Sequence, residues 1–344
     1  MNRHRASRRR FLVSLAAIGA GAMMPGSTSI AQTGAPGARA VRGRIDVHHH
    51  MYPPFYVKEM GVNSNWMPAT SLDAMDKNDV ATAMLSPVQV VVQDSMADRS
   101  ERARTLTRRN NEYGAQVVKD YPGRFGHFAA LPLPDQEGSL REIQYAYDVL
   151  KADGIGLFTS YIDKWLGDTD FWPAFEELNR RNAVVFVHPA RPVCCRNLPG
   201  QSGIIEFDID TARAIDSLLW NGTSAKFPNI RFIFVHSGGA MSVLAQRIMD
   251  DLPRNREHAE KLPKGVEYEF KKLYFDVAHG TGGPALAALK VLVPISQILY
   301  GSDAPLRDYE LTDRLLYQYD GFSINDMKAI NRGNAERLFP RLKA

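Results

Sequence analysis

Eight short apolar runs, rich in β-branched residues, recur along this chain and predict eight β-strands. They cover residues 44–48, 82–88, 125–131, 154–159, 183–188, 231–236, 273–277 and 298–302. Between these runs, apolar residues recur with the period of an amphipathic helix. The clearest predicted helices span residues 103–119, 140–150, 172–181, 211–219, 240–252 and 286–292, and residues 325–338 predict a closing helix.

This alternation of strands and helices is typical of βαβ units, which build a parallel sheet. Eight such units in a chain of 344 residues predict an α/β fold, the (β/α)8 TIM barrel. The alternative is a doubly wound open sheet, which usually carries a glycine-rich phosphate loop after its first strand. Here the first strand leads into His48, His49 and His50 instead. Two long loops, residues 52–70 and 190–205, follow strands one and five, where barrel loops shape substrate pockets.

Residues 1–40 predict an export signal with a linker, and residues 41–344 predict the barrel domain. The sequence Ser-Arg-Arg-Arg-Phe-Leu-Val at residues 7–13 is a twin-arginine pattern, and residues 11–24 form an apolar stretch too short for a membrane span. Ala31 and Ala40 are candidate ends of processing sites. Because this route exports folded proteins, we expect a periplasmic or extracytoplasmic location, with the signal cleaved or kept as a tether. A disordered basic N-terminus is the alternative.

Charge and cysteine content exclude several classes of protein. The net charge of +4 arises near the N-terminus, where five arginines occur without an acidic residue: Arg3, Arg5, Arg8, Arg9 and Arg10. The rest of the chain is close to neutral, so we expect no nucleic-acid partner, and it has no second apolar span for a membrane. Cys194 and Cys195 are adjacent, so a disulfide between them cannot connect distant segments of the chain. They also lack the spacing of a cysteine zinc site.

Four strand ends, those of strands one, five, six and eight, carry side chains that can bind a metal ion. In a strand, residues two apart point to the same face, so His48 and His50 can both face one ion while His49 points elsewhere. His188 ends the fifth predicted strand and Asp303 ends the eighth. Because the C-terminal ends of barrel strands meet at one rim, these four are the expected ligands of one divalent metal: His48, His50, His188 and Asp303.

Other roles at these strand ends stay open. Asp46 is either a further oxygen ligand or an acceptor that orients a histidine ring. His236 ends the sixth strand in His-Ser-Gly-Gly, where glycines allow a close approach. An unligated histidine beside a metal can move protons, so we expect His236 to be catalytic together with Asp303, although a ligand role is the alternative. Imidazole and carboxylate ligands suit Zn²⁺, our first expectation, and also Mn²⁺.

These segments resemble the amidohydrolase superfamily, and within it the relatives of aminocarboxymuconate-semialdehyde, methylsalicylate and resorcylate decarboxylases. The resemblance spans residues 44–339 and rests on His-x-His at 48–50, Val-His-Pro at 187–189, His-Ser-Gly-Gly at 236–239 and Gly-Ser-Asp at 301–303. The stretch Phe-Gly-His-Phe-Ala-Ala-Leu-Pro at 125–132 is also typical of this branch. Binuclear relatives bridge two metals with a lysine after strand four. Residues 154–160 contain no lysine, which implies a single ion.

The resemblance also implies a group that recognises the substrate. In the family, an arginine eleven residues after the strand-six histidine holds a substrate carboxylate, sometimes across a dimer interface, which implies this role for Arg247 and a homodimer. Some members carry an aromatic residue after Val-His-Pro, whereas this chain has Ala190 and Arg191. Arg191 is therefore a second candidate for a two-pronged contact with the carboxylate, and a solvated surface charge is the alternative for each arginine.

The resemblance implies that the protein is a carboxy-lyase, which removes carbon dioxide from an aromatic or muconate-like carboxylic acid in a metal-dependent, non-oxidative reaction. This small-molecule acid is the expected partner. The same site also fits a hydrolase of a lactone, ester or amide, because a bound metal can activate water. A third interpretation is an exported binding protein without turnover. It is weaker, because such a protein has no need of a histidine–aspartate pair beside the metal.

Overall fold

The computed structural model describes residues 43–87, 101–190 and 203–343. In this part of the chain, eight parallel strands form one sheet in chain order. Their bounds are β1 (Arg44–Met51), β2 (Val80–Pro87), β3 (Phe125–Ala130), β4 (Gly154–Phe158), β5 (Val184–His188), β6 (Arg231–Phe234), β7 (Tyr274–Asp276) and β8 (Ile298–Leu299). The eight predicted strands and the parallel sheet are therefore confirmed.

The sheet returns to its first strand and forms a nearly closed barrel. The backbone N–H of Val47 in β1 donates to the carbonyl of Tyr300 at 3.0 Å, and that of His50 donates to the carbonyl of Ala304 at 2.7 Å. An isolated parallel bridge joins His49 to Ala304. The segment after β8 thus completes the ring, so the predicted (β/α)8 TIM-barrel class is confirmed and the open sheet is wrong.

Helices connect the strands on the outside of the barrel. The described α-helices are Pro54–Met60, Pro68–Lys77, Glu101–Asp120, Gln136–Asp148, Trp172–Arg180, Glu206–Trp220, Thr223–Lys226, Met241–Asp251, Arg256–Lys261, Val266–Phe270, Gly283–Leu292, Tyr309–Gln318, Ile324–Lys328 and Asn334–Leu338. A π-helical turn, Ala329–Gly333, joins the last two. No helix of the described ranges is both long and apolar enough to cross a membrane.

The predicted loop over residues 52–70 is wrong in part, because it contains one helix and the start of another. Pro54 and Pro68 are the first residues of these helices. Proline is well tolerated there, because N–H groups in the first turn of a helix have no acceptor within the helix. A proline, which lacks this N–H, therefore loses no hydrogen bond. Most of the second predicted loop, residues 191–202 with Arg191, lies outside the described residues, as does the predicted export signal at residues 1–40.

The apolar core has two layers, as a barrel surrounded by helices requires. One lies between the sheet and the helices, and the other fills the barrel interior. The C-terminal residues Leu338, Phe339 and Leu342 join the interior layer, and the ring of Phe339 lies 5.8 Å from that of Phe128. The C-terminal segment therefore closes the end of the barrel at which the strands begin. The opposite end, where the strands finish, is available for a functional site.

A buried histidine on β3 makes the fold sensitive to acid. His127 packs against Gly114, where an added Cβ would lie 2.4 Å from the imidazole Cδ2. Neither ring nitrogen has a hydrogen-bond partner among the described residues. Burial lowers the pKa of His127 from 6.5 to about 4, and the positive charge of Arg341 acts in the same direction while Asp153 opposes both. The folded protein therefore holds this ring in its neutral form.

We expect His127→Leu to make the protein less sensitive to acid. Since the unfolded chain takes up the proton at higher pH, the stability that neutral His127 contributes is present above about pH 6.5 and is lost as the pH falls towards about 4. Urea unfolding at a series of pH values should show the wild type losing on the order of 3 kcal/mol more than the variant across this window. Parallel pH profiles for the two proteins would contradict the assignment.

Candidate metal centre

The C-terminal ends of β1, β5 and β8 bring four buried side chains together. One ligand atom from each of His48, His50, His188 and Asp303 lies within 4.8 Å of all the others. The Nε2 atoms of His48 and His50 are 3.2 Å apart. The Oδ1 atom of Asp303 lies 3.0 Å from the first of these nitrogens and 2.9 Å from the second. The structure thus brings together all four residues predicted to be ligands.

Hydrogen bonds on the far side of each ring direct the Nε2 atoms towards this cluster. The Nδ1 atom of His48 lies 2.9 Å from Asp276 Oδ2, that of His50 lies 3.1 Å from Ser86 Oγ, and that of His188 lies 3.0 Å from the carbonyl of Pro189. Carboxylate and carbonyl oxygens only accept, so Nδ1 of His48 and of His188 carries the proton. In the neutral form of each of these rings, Nε2 then keeps its lone pair, which is the tautomer that binds a metal.

Two atoms of the cluster have no hydrogen bond among the described residues. They are His188 Nε2 and Asp303 Oδ1, and both are buried. The contacts of Asp303 Oδ1 with Nε2 of His48 and His50 have ion-pair distances but not the geometry of a hydrogen bond. An unpaired buried polar group costs about 1–3 kcal/mol, so such atoms at one place indicate a missing ligand. Three imidazole nitrogens and one carboxylate oxygen are a donor set typical of transition metals and zinc. The described chain therefore contains a site that fits a single divalent metal ion.

The charges around the cluster also favour a cation. Burial alone would keep His48 neutral, but the carboxylates of Asp276 and Asp303 outweigh it and raise the pKa of His48 to about 10. Burial raises the pKa of Asp276. For Asp303 burial acts in that direction too, yet His48 and the hydrogen bond from His279 hold the pKa well below its usual range. The site thus attracts one positive charge, which a metal ion can supply in place of a proton.

Asp46 links β1 to the segment after β8 by hydrogen bonds and is not one of the four clustered residues. Its Oδ1 accepts the backbone N–H groups of His48 and Ser302, both at 3.0 Å. Its Oδ2 accepts the hydroxyls of Ser302 at 2.6 Å and Tyr309 at 2.8 Å. Four donors occupy this carboxylate, so the geometry favours a supporting role over a ligand role.

His49 faces away from the cluster, as the alternation along a strand predicts. Its Nδ1 lies 3.0 Å from the Tyr309 hydroxyl and its Nε2 lies 2.7 Å from the Ser71 hydroxyl. Both ring nitrogens of this buried histidine therefore have partners outside the metal centre.

His236 lies beside the cluster with a free nitrogen. Its ring stacks on that of His48 at a centroid distance of 5.3 Å and lies 5.5 Å from that of His188. Its Nε2 is buried and has no hydrogen bond among the described residues. Burial lowers the pKa of His236 well below its usual range. A neutral imidazole at this position can accept or deliver a proton next to a bound molecule.

Of the two arginines predicted to bind substrate, only Arg247 lies among the described residues, and it is on the surface of the protein. Arg247 lies on the helix Met241–Asp251, its side chain is 83% exposed, and its ion-pair partner is Asp251 at 3.9 Å. A role across a dimer interface needs a second subunit, so it stays a prediction. Arg191 lies outside the described residues.

Several polar residues of the site were not singled out from the sequence. Asp276 ends β7 and accepts hydrogen bonds from the ring of His48 and the backbone of His236. His279 follows three residues later, with its Nε2 2.7 Å from Asp303 Oδ2. Arg307 in turn places Nη1 3.0 Å from His279 Nδ1. For Asp276 a signal existed, since an apolar run ending in an acidic residue is the same pattern that identified Asp303.

Comparison with known proteins agrees with this architecture. The family model described as amidohydrolase matches residues 45–341. The decarboxylase macB of Penicillium terrestre is 33% identical over 328 residues, covering 87% of this chain and 96% of its own. The 6-methylsalicylic acid decarboxylase of Penicillium expansum is 31% identical over 316 residues, covering 87% and 97%. The structure of a dihydroxybenzoic acid decarboxylase from Polaromonas, with bound manganese, is 22% identical, with a TM-score of 0.74 and coverage of 88% and 98%.

Proposed function

Because the chain belongs to the amidohydrolase family, we propose that it is a metal-dependent, non-oxidative decarboxylase of an aromatic carboxylic acid. The observation that carries this proposal is the convergence of three imidazoles and one carboxylate at the strand ends of a barrel. Two relatives that cover most of the chain are named as decarboxylases, and one of them as acting on 6-methylsalicylic acid. A hydroxylated or methylated benzoic acid is therefore the substrate class that we test first.

The proposed ligands are the four clustered residues, His48, His50, His188 and Asp303. Three nitrogens and one oxygen suit Zn²⁺ in a four-coordinate site, and they also suit Mn²⁺. Manganese is the metal bound to the Polaromonas dihydroxybenzoic acid decarboxylase. We propose Zn²⁺ first, from the number of imidazoles, with Mn²⁺ as the alternative.

The reaction breaks the bond between the ring carbon and the carboxyl carbon. When bound, the ion supplies a positive charge that orients the acid and draws electron density towards it. Carbon dioxide leaves, the ring carbon keeps the electron pair of the broken bond, and a proton must then replace the carboxyl group. His236 is the group proposed to carry that proton, because its buried Nε2 has no other partner among the described residues.

We propose that an arginine recognises the carboxylate of the substrate. Arg247 is exposed and free to reach a second subunit, which fits the homodimer that the family resemblance implies. Arg191 follows the β5 histidine by three residues and is the second candidate. For residues 1–40 we propose export by the twin-arginine route to a periplasmic or extracytoplasmic location.

Carbon dioxide release is the experiment that tests this function. Purified protein loaded with Zn²⁺ or Mn²⁺ is incubated with a panel of hydroxybenzoates, including 6-methylsalicylate and 2,6-dihydroxybenzoate, and with matched aromatic esters and lactones. We expect carbon dioxide in equal amount to the acid consumed, and the decarboxylated phenol as the other product. If only the esters or lactones react, the site belongs to a hydrolase and the decarboxylase proposal fails.

A further inference from the structure

A second group of metal-competent side chains adjoins the metal centre. One ligand atom from each of His236, His279 and Asp303 lies within 4.8 Å of the others. Asp303 belongs to both groups, with Oδ1 facing His48 and His50 and Oδ2 at 2.7 Å from His279 Nε2. A carboxylate shared in this way can bridge two metal ions. The donor atoms alone would therefore allow a second ion, and something in the structure must decide whether it binds.

Arg307 fixes the tautomer of His279. Its Nη1 lies 3.0 Å from His279 Nδ1. A guanidinium can only donate hydrogen bonds, so Nδ1 of His279 must be the acceptor. The ring proton then sits on Nε2, which donates it to Asp303 Oδ2 at 2.7 Å. A nitrogen that carries a proton has no lone pair for a metal, so this hydrogen-bond chain removes His279 from the second group of ligands.

The charge of Arg307 acts in the same direction. This side chain is half-buried, and its Nε has no hydrogen-bond partner among the described residues. It forms no ion pair with a carboxylate of the described residues within 4.0 Å. Its backbone N–H donates to the carbonyl of Asp303 at 3.1 Å, which keeps the residue next to the site. A partly desolvated positive charge that no carboxylate of the described residues contacts directly repels a second cation.

We propose that Arg307 and His279 keep this centre mononuclear. Arg307 holds His279 in the tautomer that donates to Asp303, and His279 occupies Oδ2 so that only Oδ1 is left as a ligand. Both are positioning residues, and neither is proposed to touch the substrate. The inference rests on the ligand set of the proposed function, but it does not depend on which reaction the site performs.

Arg307→Met is the variant that tests this inference. Methionine keeps an unbranched stem and removes both the donor and the charge, so the His279 proton is free to move to Nδ1. After loading with Mn²⁺ and gel filtration, we expect one ion per wild-type chain and two per variant chain by plasma emission. Electron paramagnetic resonance should change from the spectrum of an isolated ion to that of a spin-coupled pair. One ion and an unchanged spectrum in the variant would overturn the proposal.

A second substitution separates the role of His279 from a general loosening of the site. The amide of glutamine can still donate to Asp303 but offers no imidazole nitrogen, so His279→Gln alone should bind one ion. The double variant Arg307→Met/His279→Gln should return to one ion. A second ion that persists in it binds elsewhere and contradicts the inference. Arg307→Ala serves as the same test if circular dichroism shows that Arg307→Met is unfolded.

The same measurements distinguish this inference from the proposed function. A wild-type chain with two ions overturns the inference and leaves decarboxylation possible. A wild-type chain with one ion, which gains a second in Arg307→Met but releases no carbon dioxide from any acid, supports the inference and contradicts the decarboxylase. A wild-type chain that retains no ion contradicts both, because the ligand set itself is then wrong.

Discussion

Replacing His188 with alanine is expected to remove the bound metal and the activity together. His188 supplies one of four donor atoms, and its Nε2 has no other partner among the described residues. Loss of a hydrogen bond to a ligand alone typically weakens metal affinity by about 10–100-fold, so loss of a ligand should cost more, at least about 1000-fold. We expect the metal content of gel-filtered protein to fall from one ion per chain to near zero, with no measurable carbon dioxide release. His48→Ala should behave in the same way.

His49→Gln is the matched control for these ligand variants. It changes a buried histidine between the two proposed β1 ligands, and both of its ring nitrogens have partners outside the cluster. We expect this variant to retain one ion per chain by plasma emission. Full metal content in His188→Ala or His48→Ala, combined with normal folding by circular dichroism, would count directly against the proposed ligand set.

The second large effect is expected for His236→Asn, which should keep the metal and lose turnover. The imidazole of His236 lies beside the cluster but outside the group of four ligand atoms. Asparagine is polar and similar in length, yet it cannot carry a proton between groups. Loss of a positioned acid or base typically lowers the rate by about 10²–10⁴-fold, so kcat should fall within that range.

Two measurements decide the role of His236. Metal analysis of His236→Asn should give one ion per chain, and binding of a non-reactive substrate analogue should be nearly unchanged. If the ion is lost together with turnover, His236 is a ligand and the alternative left open by the sequence is correct. If the ion is kept and kcat changes by less than about tenfold, another group delivers the proton.

The strand ends of the site could be predicted from sequence because each has a simple pattern. An apolar run fixes where a strand ends, and the barrel fold brings the C-terminal ends to one rim. The sequence alone therefore predicts that four residues lie together: His48, His50, His188 and Asp303. The helices at Pro54 and Pro68 were missed for a local reason, since proline indicates a loop on average but is common in the first turn of a helix.

The residues that support the cluster were harder to predict, because their positions depend on irregular backbone. His279 adopts a positive φ of 51° and Asp303 one of 68°, values that follow from no periodic pattern. Arg307 lies four residues after Asp303 in a turn, and its approach to His279 joins two loops that are distant in sequence. A contact of this kind depends on side-chain direction at two turns, which apolar periodicity does not determine.

Diffraction data collected at the absorption edge of the bound metal test the central claim most directly. We expect a single anomalous peak in each chain, about 2.0–2.2 Å from Nε2 of His48, His50 and His188 and from one carboxylate oxygen of Asp303. A metal peak coordinated by other side chains, or the absence of any peak among these four in protein that retains its metal, would contradict the account.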